Sequence, residues 1–209
     1  MQRGLLVIGG AGPAPESLYE HARGMDLVVA ADAGLERAIA AGLSPDLVVG
    51  DMDSLSDRSL LLRFPRERVM EYPAEKDETD TEIGLRLMRE RGCTEVTIAG
   101  GGGGRIDHLL GIAALFERAW SPLRWLTDCE DIRLVAGKAE LAVRVGSLLS
   151  VFPLGDGAAA IHSEGLRWPL DGLEFRRGYG GISNRATAAR VLIEVGVGKL
   201  LVIQSIRKD

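Results

Sequence analysis

Five short runs rich in valine, leucine and isoleucine, with stretches of helical periodicity between them, narrow the possible folds more than any other feature of this chain. They fall at residues 4–8, 26–30, 46–49, 69–72 and 95–99. Apolar and polar residues do not alternate along them, as they would in a half-exposed strand, so they suit strands covered on both faces. The clearest intervening segment is residues 81–91, with Ile83, Leu87 and Met88 on one face and Arg86, Arg89 and Glu90 off it. A second helix is expected over residues 106–118. Strand and helix in alternation predict a parallel sheet joined by right-handed crossovers.

Near Asp131 the pattern changes. Short strand-like runs follow one another at residues 133–136, 140–145, 148–152, 159–162, 190–195 and 199–204. Turn signals separate them, among them Val145-Gly146-Ser147, Gly155-Asp156-Gly157 and Val197-Gly198-Lys199. No long helical pattern intervenes, which predicts an all-β sandwich or barrel. The expected organisation is an α/β domain over residues 1–134 followed by an all-β domain over residues 135–209, with no low-complexity linker.

The 209 residues carry a formal net charge of −5, which argues against non-specific nucleic-acid binding, since that needs a basic face. An acidic chain can still act on an anion if a metal supplies the positive charge. The apolar run at residues 5–8 is too short for a signal peptide. No stretch approaches the roughly 20 apolar residues of a membrane span, so a soluble cytoplasmic protein is expected. Cys93 and Cys129 have no ligand-like spacing and read as reduced structural thiols.

Four polar segments follow the apolar runs, at the strand ends where α/β sheets carry their ligands. They are Ala31-Asp32-Ala33-Gly34, Gly50-Asp51-Met52-Asp53-Ser54, the acidic stretch from Lys76 to Glu82, and Gly100 to Gly104 leading into Arg105-Ile106-Asp107-His108. All four are expected to open on one edge of the sheet. In an extended segment Asp51 and Asp53 project to the same side. Carboxylates held together repel unless a cation joins them, and hard oxygen donors suit Mg²⁺. A surface turn would use the same residues, but three further segments at equivalent positions favour the metal. Thr79 and Glu82 fit a capping box. Asp77 and Asp80, three apart, can share a face at a helix start, with Asp80 the stronger candidate ligand and a first-turn charge the alternative. The five glycines expose backbone amides to phosphate oxygens and Arg105 adds a bidentate fork, although a flexible loop is also natural for glycine. Together these features point to a magnesium-dependent enzyme acting on a nucleoside triphosphate.

The remaining signals are weaker. Gly9-Gly10-Ala11-Gly12 departs from the G-x-G-x-x-G fingerprint, with Pro13 and Pro15 close behind, and reads as a βα loop bordering the nucleotide. His21 and His162 read as structural or surface residues, whereas His108 has Asp107 beside it. Trp168 is either core or an aromatic platform for a planar ring. Ser183 and Asn184 are either turn residues or hydrogen-bonding groups for a heterocycle.

Asp32-Ala-Gly, Pro45-Asp46-Leu-Val-Val-Gly50-Asp51-Met-Asp53-Ser54, Lys76-Asp77-x-Thr79-Asp80, Gly-Gly-Arg105-x-Asp107-His108 and Gly181-Ile-Ser183-Asn184 together resemble thiamine pyrophosphokinases in order and spacing. The resemblance runs from about Leu5 to Ile203 and includes Phe152-Pro153-Leu154 and the Gly-Leu-x-Trp-Pro-Leu stretch. It implies an N-terminal parallel-sheet nucleotide-binding domain, a C-terminal β-sandwich, and a homodimer with sites between subunits. It also implies transfer of a pyrophosphoryl group from ATP to thiamine, leaving AMP. By resemblance Asp51, Asp53 and Asp80 bind magnesium and, with Arg105 and Asp107, form the catalytic group. Asp32, Gly34, Asp77, Thr79, Gly103, Gly104 and His108 fall to ATP, and Ser183, Asn184 and Trp168 to thiamine. Ala33 departs from the family, which more often has a second glycine there; its methyl narrows the backbone approach. Asp107 or Asp32 could take the hydroxyl proton, but an ordinary aspartate, with a pKa near 3.9, is a poor base for an alcohol. The rival readings are a pyrophosphokinase for another planar alcohol such as a hydroxymethylpterin, a non-catalytic nucleotide sensor, and a nicotinamide-dependent oxidoreductase, which the missing fingerprint disfavours.

Overall fold

The five unalternated runs form strands that pair side by side in parallel. In the computed structural model, which describes residues 1–206, β1 (Gln2–Val7) pairs with β2 (Leu27–Ala31) and with β5 (Cys93–Ala99). β2 pairs in turn with β3 (Leu47–Gly50), and β3 with β4 (Val69–Glu71). With β6 (Arg124–Leu126) beside β5, the order is β6-β5-β1-β2-β3-β4. Burial explains the missing alternation: Leu5, Leu6 and Val7 are consecutive, face opposite sides of the sheet, and are all at 0% exposure. The chain works outward from β1 to β4 and then returns to β5 on the other flank of β1. The topological switch point therefore lies between β1 and β5.

Helices α1 (Pro15–Ala22), α2 (Gly34–Ala40), α3 (Asp80–Glu90) and α4 (Ile106–Ala114) fill the connections. At α3 the expected capping box forms: Thr79 Oγ1 accepts from the Glu82 amide at 3.2 Å, and Glu82 Oε2 accepts from the Thr79 amide at 2.8 Å. Ile83, Leu87 and Met88 are buried along its inner face. The second expected helix ends at Ala114 and tightens into a 3₁₀ turn over Leu115–Glu117. No helix among the described residues is long and apolar enough to cross a membrane.

The β-rich part differs from expectation in a specific way. Six anticipated strands are three long ones: β7 (Glu130–Ala142), β8 (Leu148–Glu164) and β11 (Arg190–Ser205). Gly137, Gly155, Gly157 and Gly198 adopt positive φ within these strands. They bend the strands or shift their register, as between Gly198 and Lys199 in the β8–β11 pair, where the sequence reads as chain reversals. Of the three quoted turn signals only Val145-Gly146-Ser147 lies between two strands, β7 and β8. β9 (Phe175–Arg176) pairs with β8, and β10 (Gly181–Arg185) completes the antiparallel order β10-β8-β11-β7. Leu141, Leu149, Val151, Val191, Ile193, Leu200 and Val202 supply its core.

By contact density the chain divides into Met1–Ala113 with Trp125–Asp128, and Ala114–Arg124 with the chain from Cys129 onward. In the first unit, Leu5, Val7, Ala30, Leu35, Val48 and Met52 share one core. Gly34 is where α2 meets β1, and a Cβ there would overlap the Val7 carbonyl. Gly34→Ala is therefore expected to destabilise the fold by about 1–3 kcal/mol through overpacking. A urea titration checks this; an unchanged midpoint would mean that the helix can shift freely.

Candidate active site

Asp32 follows β2, Asp51 follows β3 and Asp80 opens α3, and the parallel sheet brings all three to its carboxyl edge. One carboxylate oxygen from each lies within 4.8 Å of the others, the one such grouping of acidic, histidine or cysteine side chains among the described residues. Gly50 makes room for this meeting. A Cβ on it would lie 2.9 Å from Asp32 Oδ1 and 3.2 Å from Asp80 Oδ1. The chain then turns at Met52, whose φ is +62° and whose side chain is fully buried in the sheet core.

That turn overrides the extended geometry expected for Asp51 and Asp53. Asp53 is exposed and lies outside the group of three, and its amide donates to Asp51 Oδ1 at 3.1 Å. It remains one hydroxyl away, because Ser54 Oγ lies 3.1 Å from Asp32 Oδ2 and 3.0 Å from Asp53 Oδ1. Asp32, expected as a peripheral polar group, is central instead. It accepts from the Met52 amide at 2.9 Å as well as from Ser54.

Lys76 enters the group from the β4–α3 connection. Its Nζ is 2.8 Å from Asp51 Oδ2 and 3.2 Å from Asp80 Oδ1. Asp80 Oδ1 is buried, and the Lys76 ammonium is its ion-pair partner. The electrostatics separate the carboxylates. Burial, reinforced by the nearby Asp80 charge, pushes the Asp32 carboxyl up to about 6 despite its two donors. The Lys76 hydrogen bond holds Asp51 below the usual carboxylate range. Burial opposes the charge on Lys76, but its bonds to Asp51 and Asp80 outweigh that and raise its pKa.

The other expected site residues spread further. Asp77 and Thr79 are exposed, and Thr79 serves as the cap of α3. Arg105 and Asp107 pair with each other at 2.5 Å, with side chains 75% and 57% exposed. The Arg105 guanidinium holds Asp107 below the usual carboxylate range. His108 is exposed, and its amide donates to Asp107 Oδ1 at 3.0 Å. The glycine run divides into two parts. Gly101 and Gly102 pack against the loop after β1: Ala11 and Gly102 exchange backbone hydrogen bonds of 2.6 and 2.7 Å, and the Gly101 amide donates to Gly9 O at 2.6 Å. Gly103 and Gly104 are exposed and have φ of +64° and +73°; a Cβ on Gly104 would meet open space, and one on Gly103 would touch the Ala11 methyl at 3.6 Å. They are the two of the five glycines that are exposed. Gly34 is buried against β1, in the packing role described above.

Beneath the first loop lies a cavity of about 420 Å³ lined by Gly9, Gly10, Ala33, Glu36 and Arg37 among others. Its size is in the range of small-molecule sites. Arg37 reaches across to the Gly10 carbonyl, and its Nε is buried without a partner. The Ala33 methyl, 3.2 Å from where a Cβ of Gly9 would stand, forms part of the wall.

In the β-rich unit Asn184 is buried, and its amide is engaged with the backbone of residue 168. Nδ2 donates to Trp168 O at 2.6 Å, and Oδ1 accepts from the Trp168 amide at 3.2 Å and from the Arg185 amide at 2.8 Å. Asn184 thus positions Trp168 and has little capacity left for a ligand. Trp168 is 53% exposed, so it is not core, and the Arg167 guanidinium stacks 4.9 Å from its ring centroid. Ser183 is exposed at φ +64°.

A parallel sheet with clustered carboxylates at its carboxyl edge and a separate antiparallel unit defines a class of two-part α/β proteins with a candidate cation site. The comparisons with known proteins narrow the class. A family profile described as "Thiamin pyrophosphokinase, catalytic domain" matches residues 18–122, and one described as "Thiamin pyrophosphokinase, vitamin B1 binding domain" matches residues 138–200. A thiamine pyrophosphokinase of Bacillus subtilis (strain 168) is 27% identical over 86% of this chain and 87% of its own length. The crystal structure of a thiamin pyrophosphokinase from Geobacillus thermodenitrificans superposes with a TM-score of 0.79 at 26% identity, over 100% of this chain and 99% of that one. One from Enterococcus faecalis gives 0.78 at 28% identity, over 99% and 100%. This chain belongs to the thiamin pyrophosphokinase family of enzymes.

Asp32 makes a pH-dependent prediction. Because its folded-state pKa, about 6, exceeds the unfolded value near 3.9, the folded chain holds this proton more tightly. The resulting stabilisation is complete below the unfolded pKa and is lost as pH rises through about 6. Asp32→Asn cannot ionise, so in EDTA its melting temperature should rise relative to wild type between pH 4 and pH 8. A pH-independent difference would contradict the assignment.

Proposed function

We propose that this enzyme transfers a pyrophosphoryl group from ATP to the hydroxyl of thiamine with the aid of Mg²⁺, giving thiamine diphosphate and AMP. One observation carries the reading. Asp32, Asp51 and Asp80 converge from three separate segments, in a chain whose parts match a pyrophosphokinase catalytic domain and a vitamin B1 binding domain in that order.

The donor set fits magnesium. Three hard carboxylate oxygens lie close together, and the Asp32 carboxyl is displaced upward by burial and by Asp80. Asp51, Asp80 and Asp32 would hold the ion, with Asp53 available at the rim beyond Ser54. When bound, it would neutralise phosphate oxygens and the charge that develops around the β-phosphorus. Arg105 and the amides around Gly103 and Gly104 are the groups best suited to grip the triphosphate, and the cavity under Gly9 and Gly10 is a natural seat for the rest of the nucleotide. Asp107, held below the usual carboxylate range by Arg105, is a poor base for the thiamine hydroxyl.

On this reading residues 1–134 bind ATP and residues 135–209 recognise thiamine. Trp168 offers an aromatic face, Ser183 a hydroxyl, and Asn184 fixes the tryptophan backbone. The bends in β8 and β11 support a β-sandwich for this second part. The family resemblance brings with it a homodimer, and the short apolar runs favour a cytoplasmic setting.

Incubation with Mg²⁺, ATP and thiamine, followed by phosphorus NMR, should give AMP and thiamine diphosphate in equal amounts. Asp80→Asn should lower kcat/KM by orders of magnitude while circular dichroism stays unchanged. Formation of ADP, or turnover with a hydroxymethylpterin and none with thiamine, would overturn the assignment.

A further inference from the structure

Lys76 stands four residues before Asp80 and takes no part in the reaction as described so far. Its ammonium nevertheless occupies two of the oxygens on which the cation site depends, Asp51 Oδ2 at 2.8 Å and Asp80 Oδ1 at 3.2 Å. The Lys76 side chain is 14% exposed and its two partners 13% and 20%. This is therefore no solvated surface pair of negligible strength. In the metal-free chain it is the ammonium that compensates carboxylates the fold has forced together. Lysine carries a compact charge on a flexible four-carbon stem, so it can withdraw without any movement of the backbone.

A hard divalent cation seeks the same oxygen lone pairs. Ammonium and cation cannot both hold them. We propose that Lys76 is a resident counter-ion that competes with the divalent cation for Asp51 and Asp80 and turns to the substrate's phosphate oxygens when nucleotide and cation arrive together. The proposal rests on the magnesium site argued above. A withdrawn ammonium left half-buried without a partner is costly. Triphosphate oxygens relieve that cost, so Lys76 makes cation binding depend on nucleotide, and linkage makes the dependence reciprocal. A purely structural lysine behaves in the opposite way: its loss loosens the carboxylates and weakens the cation site.

Manganese binding followed by electron paramagnetic resonance separates these cases. Lys76→Met keeps the length of the stem and removes the charge. Without nucleotide, it should bind Mn²⁺ at least about fivefold more tightly than wild type, the lower end of typical coupling between sites. Addition of α,β-methylene-ATP should tighten Mn²⁺ binding more in wild type than in the variant. Wild-type or weaker Mn²⁺ affinity in Lys76→Met overturns the competition and leaves the metal site standing. Absence of Mn²⁺ binding in both proteins, with and without the analogue, removes the metal site and the proposal with it. If Lys76→Met proves unstable without metal, the rise in melting temperature on adding Mn²⁺ decides the matter. A larger rise than in wild type supports the competition, and an equal or smaller one overturns it.

Discussion

Mutual repulsion among Asp32, Asp51 and Asp80 is the constraint to which the rest of the catalytic unit is fitted. Two like charges about 4 Å apart repel by about 4 kcal/mol at the effective dielectric of a protein surface. A chain of marginal stability does not assemble three of them by accident. The sheet forces the meeting. β2 and β3 are adjacent and parallel, so the residues that leave their carboxyl ends are neighbours, and α3 begins above the same edge. Gly50 clears the space, and the buried Met52 side chain holds the turn that aims Asp51 inward. Burial first, and the Asp80 charge after it, raise the Asp32 carboxyl, while Lys76 answers the repulsion at Asp51 and Asp80. A site that stores unfavourable electrostatics in this way is prepared for a cation.

The second constraint lies at the switch point of the sheet. Doubly wound folds leave a crevice there, and in many of them a glycine loop lines it for phosphate. Here the two glycine loops meet each other. Ala11 and Gly102 pair through their backbones, and the indole of Trp125 donates to Gly100 O at 2.7 Å. Most of the glycine run is therefore spent on close packing, and only Gly103 and Gly104 stand clear. A cavity lined by Arg37 and Ala33 borders the loop after β1 at Gly9 and Gly10.

How much of this was legible in the sequence follows from the range of the interactions concerned. Period and burial are local, so the five parallel strands and the capped helix α3 could be read to within a few residues. Glycine is ambiguous by nature: the same dipeptides that reverse a chain also bend one, which is why β7, β8 and β11 looked like six strands. Spacing identified the acidic segments but not their geometry. Asp53 was paired with Asp51 because an extended chain puts them on one side, whereas Asp32 joins Asp51 and Asp80 only because the parallel sheet sets the ends of β2 and β3 side by side. Lys76 carried no signal beyond a position in a motif, because its partner Asp51 is 25 residues away and only the fold joins them. Asn184 was selected as a polar group for a heterocycle. Its carboxamide was engaged by a loop 16 residues upstream, which no local pattern reveals.

The central claim is that the carboxylate group exists to hold a divalent cation and that Lys76 keeps its place when none is present. Anomalous diffraction from crystals soaked in Mn²⁺ with a non-hydrolysable ATP analogue tests this most directly. The account predicts an anomalous peak against Asp51 and Asp80, with the Lys76 ammonium moved away from both and toward phosphate. A Lys76 ammonium still seated on Asp51 and Asp80, with manganese bound elsewhere or not at all, would contradict it.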